Sequence, residues 1–193
     1  MGRVQGKVAF ITGAARGQGR SHAVRLAEEG ADIIAVDLCH DIESLKYHLA
    51  GSDDLKETVR LVEAQDRRIV AVQADVRERA QLAAALEQGI GELGRLDIVV
   101  AQAGIAAMKG EPPMQAWTDV IDTNLLGTIN AIHAALPHLS EGASIIPTGS
   151  IAHIGGVVGA HQDVAALVRH VAVGRIGFEP GRIGKLEALE RDV

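Results

Sequence analysis

The sequence is poor in cysteine. Cys39 is the only cysteine in 193 residues, so an internal disulfide is excluded and no second thiolate exists for a zinc site. A single cysteine is consistent with a reducing compartment, and we therefore expect a cytoplasmic protein. The histidines His153, His161 and His170 are too scattered to indicate a metal site, so we predict no bound metal.

Aromatic residues and positive charge are also scarce. Two Phe, one Trp and one Tyr are the only aromatic residues, so the core must be aliphatic and a stacking platform for bases is excluded. Lysine and arginine number 19 against 25 acidic residues, and this net charge of −6 argues against nucleic-acid and anionic-membrane partners. No apolar run approaches a membrane span or a signal-peptide core, so we expect a soluble chain.

What the sequence does contain is a regular alternation of two patterns. Apolar runs of strand length recur at residues 7–12, 32–37, 68–73, 97–101 and 144–148, with helical patterns at 17–29, 54–66, 78–91 and 115–138. This alternation predicts an α/β fold with a doubly wound parallel sheet, which binds ligands at the carboxyl ends of its strands. We predict one domain, 1–193, regular over 1–155 and divergent over 156–193, where C-terminal strands are missing or altered.

The most informative segment is a glycine-rich turn between the first strand and the first helix. It reads Thr12-Gly13-Ala14-Ala15-Arg16-Gly17-Gln18-Gly19. Glycines let the backbone approach an anion closely, and the free amides of a helix's first turn point at it. The turn therefore predicts a pyrophosphate site formed by Gly13, Arg16, Gly17, Gln18 and Gly19. The alternative is a glycine-rich loop that binds no ligand.

Carboxylates end the second and third strands. Asp37 follows the turn by about twenty residues, where a carboxylate accepts both hydroxyls of an adenosine ribose and repels a 2′-phosphate. This position, together with the glycine turn, favours NAD over NADP as the cofactor, and Leu38 beside it is a further predicted cofactor contact. The alternative is a solvated acid at a strand end. Asp75 and Val76 are predicted to border the adenine ring, and the alternative for Asp75 is a helix N-cap.

The spacing of the three glycines resembles the first turn of the short-chain dehydrogenase/reductase family, Thr-Gly-x-x-x-Gly-x-Gly. Residues 96–104 resemble its fourth strand and Asn-Asn-Ala-Gly turn, with Ala101 and Gln102 in place of the asparagines. Asn124 matches the family's active-site asparagine, and Ser150 matches its catalytic serine at the end of the fifth strand. The resemblance covers about residues 4–170 and implies a Rossmann-like fold. It also implies cofactor contacts from Gln102, Ala103 and Gly104.

Within that family, residues 17–22, residues 36–39 and a long polar connection at 38–53 resemble the actinobacterial subgroup similar to carveol dehydrogenase. Its members are associated with the redox cofactor mycofactocin. The resemblance implies oxidation of a secondary alcohol or reduction of a ketone, tightly held NAD, an external electron carrier and, for the connection, a cover over the nucleotide. The alternative for the connection is a neutral surface loop. Members of the family usually pair, so a homo-oligomer is also implied.

The sequence departs from the family where proton transfer takes place. The family has a tyrosine thirteen residues after the serine and a lysine four residues later, but Asp163 and Leu167 occupy these positions. An ionised aspartate is a poor proton donor near neutral pH, so Ser150 and Asn124 are the retained catalytic positions. We therefore predict an oxidoreductase lineage with impaired catalysis. The alternatives are a non-catalytic NAD-binding protein and a truncated, divergent or frame-altered family member.

Overall fold

The computed structural model describes residues 2–107 and 111–149. Their five strands are all parallel and form one sheet in the order β3-β2-β1-β4-β5. The strands are β1 Val8–Thr12, β2 Asp32–Asp37, β3 Ile69–Gln73, β4 Leu96–Ala101 and β5 Leu139–Pro147. From β1 the chain adds β2 and β3 on one side of the sheet, and it then crosses back to add β4 and β5 on the other side of β1. The predicted parallel α/β sheet is confirmed.

Helices cover both faces of this sheet. They are α1 Gly17–Glu28, α2 Ser52–Glu63, α3 Arg79–Leu93, α4 Met114–Ile121 and α5 Gly127–Ala135. Alternate residues of each strand point to opposite faces, so Phe10, Ile34 and Val99 pack in one buried cluster. Ile11 and Ile33 belong to a second buried cluster on the other face. The strands β1, β2 and β4 are buried along nearly their whole length because helices cover both sides of them, whereas most residues of β5, at one edge of the sheet, are exposed or half-buried.

The predicted helix 115–138 is interrupted. Between α4 and α5 the residues Asp122–Leu126 form a π turn, in which the amide of Gly127 donates to the carbonyl of Asp122. A short 3₁₀ turn, Leu136–His138, then ends the helical stretch before β5. A π turn contains one residue more than an α-helical turn, and the spacing of apolar residues did not predict it. It lies beside the carboxyl end of the sheet, at the candidate site.

The long connection after β2 is ordered by hydrogen bonds rather than by regular structure. We call residues 38–51 the strap. The Tyr47 hydroxyl accepts a bond of 2.9 Å from the amide of Ala106, and Arg16 Nη2 donates to the His48 carbonyl at 3.0 Å. The Ser44 hydroxyl donates to the buried carboxylate of Asp119 on α4. The strap is therefore attached to the glycine-rich turn, to the segment after β4 and to α4.

The helix that follows the strap begins earlier than the pattern of its apolar residues predicts. α2 starts at Ser52 rather than at residue 54, because Asp54 is already in its first turn. There its Oδ2 accepts a bond of 2.9 Å from the amide of Gly51, the capping residue. The acidic first turn suits the positive end of the helix dipole.

Candidate functional site

The glycine-rich turn is shaped by close backbone approaches. Gly13 has φ +67°, and a Cβ there would lie 2.8 Å from the Cα of Ala103. A Cβ at Gly19 would lie 2.0 Å from the carbonyl oxygen of Gly13. Gly17 has φ +58° with open space beside it. The first and third glycines are therefore required by packing of the turn, and Gly17 by its left-handed backbone.

Two carbonyls of this turn accept hydrogen bonds from side chains of the first two helices. The Thr58 hydroxyl donates to the Ala14 carbonyl at 2.9 Å, and Arg20 Nη2 donates to the carbonyl of Ala15. Within the described residues, no acceptor bonds the amides of Gly17–Gly19, the first turn of α1. Free amides at a helix N-terminus form a site for an anion such as a pyrophosphate.

Asp37 lies at the carboxyl end of β2, next to this anion site. Its Oδ2 accepts a bond of 2.9 Å from the amide of Ala15, and its Oδ1 one of 3.2 Å from the amide of Cys39. Each carboxylate oxygen keeps a lone pair for a further donor, such as a ribose hydroxyl. Burial, followed by the charge of Asp37, raises the pKa of the Cys39 thiol to about 11, so this thiol is not a nucleophile at neutral pH.

Asp75 is bonded to its own neighbour. Arg77 donates to its carboxylate from the backbone amide at 2.9 Å and from Nη2 at 2.6 Å. Burial alone would raise the pKa of Asp75, but these bonds and the Arg77 charge lower it below its usual range. The N-cap of α3 is Glu78, so Asp75 does not cap that helix. Asp75 is therefore an ionised acceptor at the wall of the site.

The segment after β4 is held against β1. The buried Thr12 hydroxyl accepts bonds of 3.0 Å from the amides of Gln102 and Ala103. The Gln102 side chain, which replaces an asparagine of the family pattern, accepts from Thr148 at 2.8 Å and donates to Gln18 at 3.1 Å. This glutamine therefore links the first helix to the segment after β5.

Asn124 lies in the π turn and fixes the next part of that segment. Its Oδ1 accepts a bond of 2.8 Å from the amide of Ile105, and its Nδ2 donates to the Ile105 carbonyl at 2.9 Å. Both ends of its amide are thus used by the protein backbone. Asn124 holds residue 105 in place, while the Tyr47 hydroxyl of the strap binds the next amide, that of Ala106.

These elements enclose one cavity of about 260 Å³ at the carboxyl end of the sheet. Every position predicted from the sequence to contact a cofactor lines it: Gly13, Arg16, Gly17, Gln18, Gly19, Asp37, Leu38, Asp75, Val76, Gln102, Ala103 and Gly104. Strap residues Ile42, Leu49 and Ala50 form a further wall. Sequence reasoning missed Ala74, Ile105 and Thr123, which also line the cavity and which no motif distinguishes.

The catalytic positions have a different outcome. Asn124 borders the site, but Ser150, Asp163 and Leu167 lie outside the described residues. The same holds for His153, His161 and His170. Within residues 2–107 and 111–149, no cluster of three His, Cys, Asp or Glu side chains is placed to hold a metal ion. No helix among the described residues is long and apolar enough to cross a membrane.

The fold and the cavity define a class of α/β proteins that bind nucleotides at the switch point of a parallel sheet. The family model for short chain dehydrogenases matches residues 7–165. The chain belongs to the short-chain dehydrogenase/reductase family, as the glycine turn and the motifs after β4 led us to expect.

Several similar proteins come from actinobacteria. An uncharacterized oxidoreductase of Mycobacterium tuberculosis is 54% identical over 157 residues, which cover 80% of this chain and 57% of that protein. The (-)-trans-carveol dehydrogenase of Rhodococcus erythropolis is 42% identical over 185 residues, 90% of this chain and 67% of that one. The predicted likeness to the carveol dehydrogenase subgroup is confirmed. The chain spans about three fifths of the first of these relatives.

Solved structures give the same result. The carveol dehydrogenase from Mycobacterium avium in complex with NAD has a TM-score of 0.74 and 49% identity, over 79% of this chain and 57% of that one. A short chain dehydrogenase from Mycobacterium paratuberculosis bound to NAD has a TM-score of 0.67 and 52% identity, over 71% of this chain and 52% of that one.

Proposed function

We propose that this chain binds NAD(H) in the cavity at the carboxyl end of its sheet. The observation that carries the proposal is that hydrogen-bond donors for a phosphate and an acceptor for a ribose lie side by side in this cavity. The free amides of residues 17–19 would hold the pyrophosphate, and the Asp37 carboxylate would accept the ribose hydroxyls. The NAD complexes of two similar proteins support the same assignment. Val76 and Leu38 would border the adenine ring.

The choice of NAD over NADP rests on Asp37 and is testable by titration calorimetry with both nucleotides. We expect the wild type to bind NAD at least tenfold more tightly, because the carboxylate repels a 2′-phosphate. Asp37→Asn should weaken NAD binding and reduce the ratio of NAD affinity to NADP affinity. Asp53→Asn removes the same charge from an exposed position outside the cavity and should change neither. Equal affinity of the wild type for NADP and NAD would contradict the role of Asp37.

The reaction we propose is oxidation of a secondary alcohol or reduction of the corresponding ketone. When bound, NAD supplies the nicotinamide ring that exchanges a hydride. Ser150 would orient the substrate oxygen, and Asn124 would position the segment after β4 through its two bonds to Ile105. The (-)-trans-carveol and cyclohexanol dehydrogenases among the similar proteins support this substrate class.

A non-catalytic NAD-binding protein is the second candidate, and Asp163 and Leu167 favour it because they replace the tyrosine and lysine of the family. Turnover of a panel of secondary alcohols with an artificial electron acceptor separates the two functions. Activity that persists in Asp163→Asn and disappears in Ser150→Ala would support catalysis that depends on the serine. No turnover in the NAD-loaded wild type would favour the second candidate.

The strap suggests how electrons would leave. It is bonded to the glycine-rich turn, to the segment after β4 and to α4, so the nucleotide would be released slowly. The NADH formed by oxidation of the alcohol would then pass its two electrons to an external carrier and return to NAD without leaving the site. This agrees with the mycofactocin association of the subgroup that the sequence resembles. Repeated turnover of purified protein with the artificial acceptor and no added NAD would support it; a strict requirement for free NAD would contradict it.

We also propose that residues 1–193 form one domain, that the protein is cytoplasmic and that it forms a homo-oligomer. The helical stretch 114–136 carries exposed apolar side chains at helical spacing, among them Met114, Trp117, Ile121 and Leu125. Such a stripe is typical of an interface between helices. Sedimentation velocity should give a dimer for the wild type and a monomer for Trp117→Glu. A monomeric wild type would refute the pairing.

A further inference from the structure

The π turn holds a buried polar group to which no other described residue is bonded. Thr123 is 6% exposed, and its Oγ1 has no hydrogen-bond partner within the described residues. A buried hydroxyl without a partner is costly, so native proteins rarely keep one unless a ligand or a water completes it. Thr123 therefore requires an explanation beyond packing.

The other threonines show what Thr123 lacks. Thr118 and Thr128, in the helices on either side, donate to the carbonyls four residues earlier, at 3.4 Å and 2.8 Å. The buried hydroxyls of Thr12 and Thr58 are bonded as well. The bond to the preceding turn is the usual way in which a helix satisfies a threonine. The π turn is the local feature that sets Thr123 apart from Thr118 and Thr128.

The surroundings of Thr123 indicate which part of a ligand it meets. Thr123 lines the cavity together with Val76 and Ile105, between the ends of β3 and β4. One helical turn later, a Cβ at Gly127 would lie 2.5 Å from Val76 Cγ2, so the start of α5 packs directly on Val76. Thr123 therefore belongs to the end of the cavity that Val76 borders, where the proposed function puts the nucleotide base.

We propose that the Thr123 hydroxyl forms a hydrogen bond with the heteroaromatic base of the bound nucleotide. A hydroxyl can donate to a ring nitrogen and accept from an exocyclic amino group, so it suits adenine in either role. The inference rests on the proposed NAD site and adds a base-reading residue to it. The Asp75 carboxylate is bonded to Arg77, whereas Thr123 Oγ1 is a buried side-chain oxygen of the cavity wall that has no partner among the described residues.

The test compares Thr123→Val with Thr123→Ser and with Thr118→Val as a matched control outside the cavity. Valine keeps the shape and removes the hydrogen bond, whereas serine keeps the hydroxyl. We expect Thr123→Val to bind NAD and AMP about three- to tenfold more weakly, with binding of nicotinamide mononucleotide unchanged. Thr123→Ser should bind NAD within about twofold of the wild type, and Thr118→Val should bind as the wild type does.

The melting temperature of the ligand-free protein provides the second measurement. Thr123→Val removes an unsatisfied buried hydroxyl, so its melting temperature should equal or exceed that of the wild type. Unchanged NAD affinity, or a loss seen equally with nicotinamide mononucleotide, would overturn the inference. So would a lower melting temperature without a change in affinity, which would mark a hydroxyl completed by a structural water. A wild type that binds no NAD would refute the proposed function itself, and this inference with it.

Discussion

The substitution Gly19→Ala tests the packing of the glycine-rich turn directly. The new Cβ would lie 2.0 Å from the carbonyl oxygen of Gly13 and 2.7 Å from its carbonyl carbon. These are backbone atoms, so no rotamer change relieves the overlap. Gly13 cannot retreat either, because its own Cα region approaches the backbone of Ala103. The start of α1 or the end of β1 must therefore move.

The expected cost follows from these contacts. Overpacking of a closely packed site costs about 1–3 kcal/mol, and a clash with backbone belongs at the upper end of that range. For a chain of this size, 3 kcal/mol corresponds to a fall in melting temperature of roughly 6–12 °C. Thermal unfolding followed by circular dichroism measures it, without requiring any ligand.

Gly17→Ala is the matched control in the same turn. Open space surrounds its Cβ position, so the cost is only that of the left-handed backbone, about 1–2 kcal/mol. We expect Gly17→Ala to melt closer to the wild type than Gly19→Ala does. A Gly19→Ala protein that melts within about a degree of the wild type would refute the reasoning, because a backbone clash should lower the melting temperature by roughly 6–12 °C.

Three further predictions concern stability and the strap. In α3, Gly89→Ala puts a Cβ 2.6 Å from Ile34 Cδ1 and should lower the free energy of unfolding by about 1–3 kcal/mol. Gly91→Ala, whose Cβ would lie in open space, should raise it by about 0.5–1 kcal/mol. Urea denaturation of the two variants measures both changes, and equal effects would contradict this prediction. Burial would raise the pKa of Asp97, but Arg95, the Val8 amide and Lys7 lower it, so its stabilisation is complete above about pH 4 and lost as the pH falls further. The stability difference between the wild type and Asp97→Asn should therefore shrink below about pH 4 in acid titrations, and a constant difference would contradict this. Tyr47→Phe leaves the Ala106 amide without its acceptor and should speed NAD release about two- to tenfold in stopped-flow experiments. An unchanged release rate would show that this bond of the strap does not help to retain the cofactor.

Strands and helix boundaries differ in how far the local sequence predicts them. The strands were predictable because runs such as residues 32–37 are buried on both faces and need no partner to be recognised. The helix boundaries were less predictable. Asp54 lies inside the first turn of α2, where it accepts a hydrogen bond from the Gly51 amide, and the spacing of apolar residues does not reveal such a contact. The π turn at 122–126 was not predicted, since a single extra residue barely alters the spacing of apolar positions.

The strap shows the limit of local reasoning most clearly. The family resemblance implied a cover over the nucleotide, but the anchors of the strap are contacts between residues far apart in sequence, such as Tyr47 with Ala106 and Ser44 with Asp119. Hydrogen bonds of this kind depend on where the chain returns in space. The same holds for Gln102, whose links to Gln18 and Thr148 are not evident from its motif.

The sequence by itself determined the order of strands and helices along the chain, the family and most of the positions that line the cavity. These follow from local patterns, because burial imposes periodicity and a phosphate-binding turn needs glycine at fixed places. The tertiary structure decided which polar groups in that cavity are already bonded and which are free. Asp75 is bonded to Arg77 and Asn124 to Ile105, whereas the Thr123 hydroxyl and the amides of α1's first turn have no partner in the part of the chain that the structure describes. That distinction depends on distances across the fold, and it determines what the site can bind.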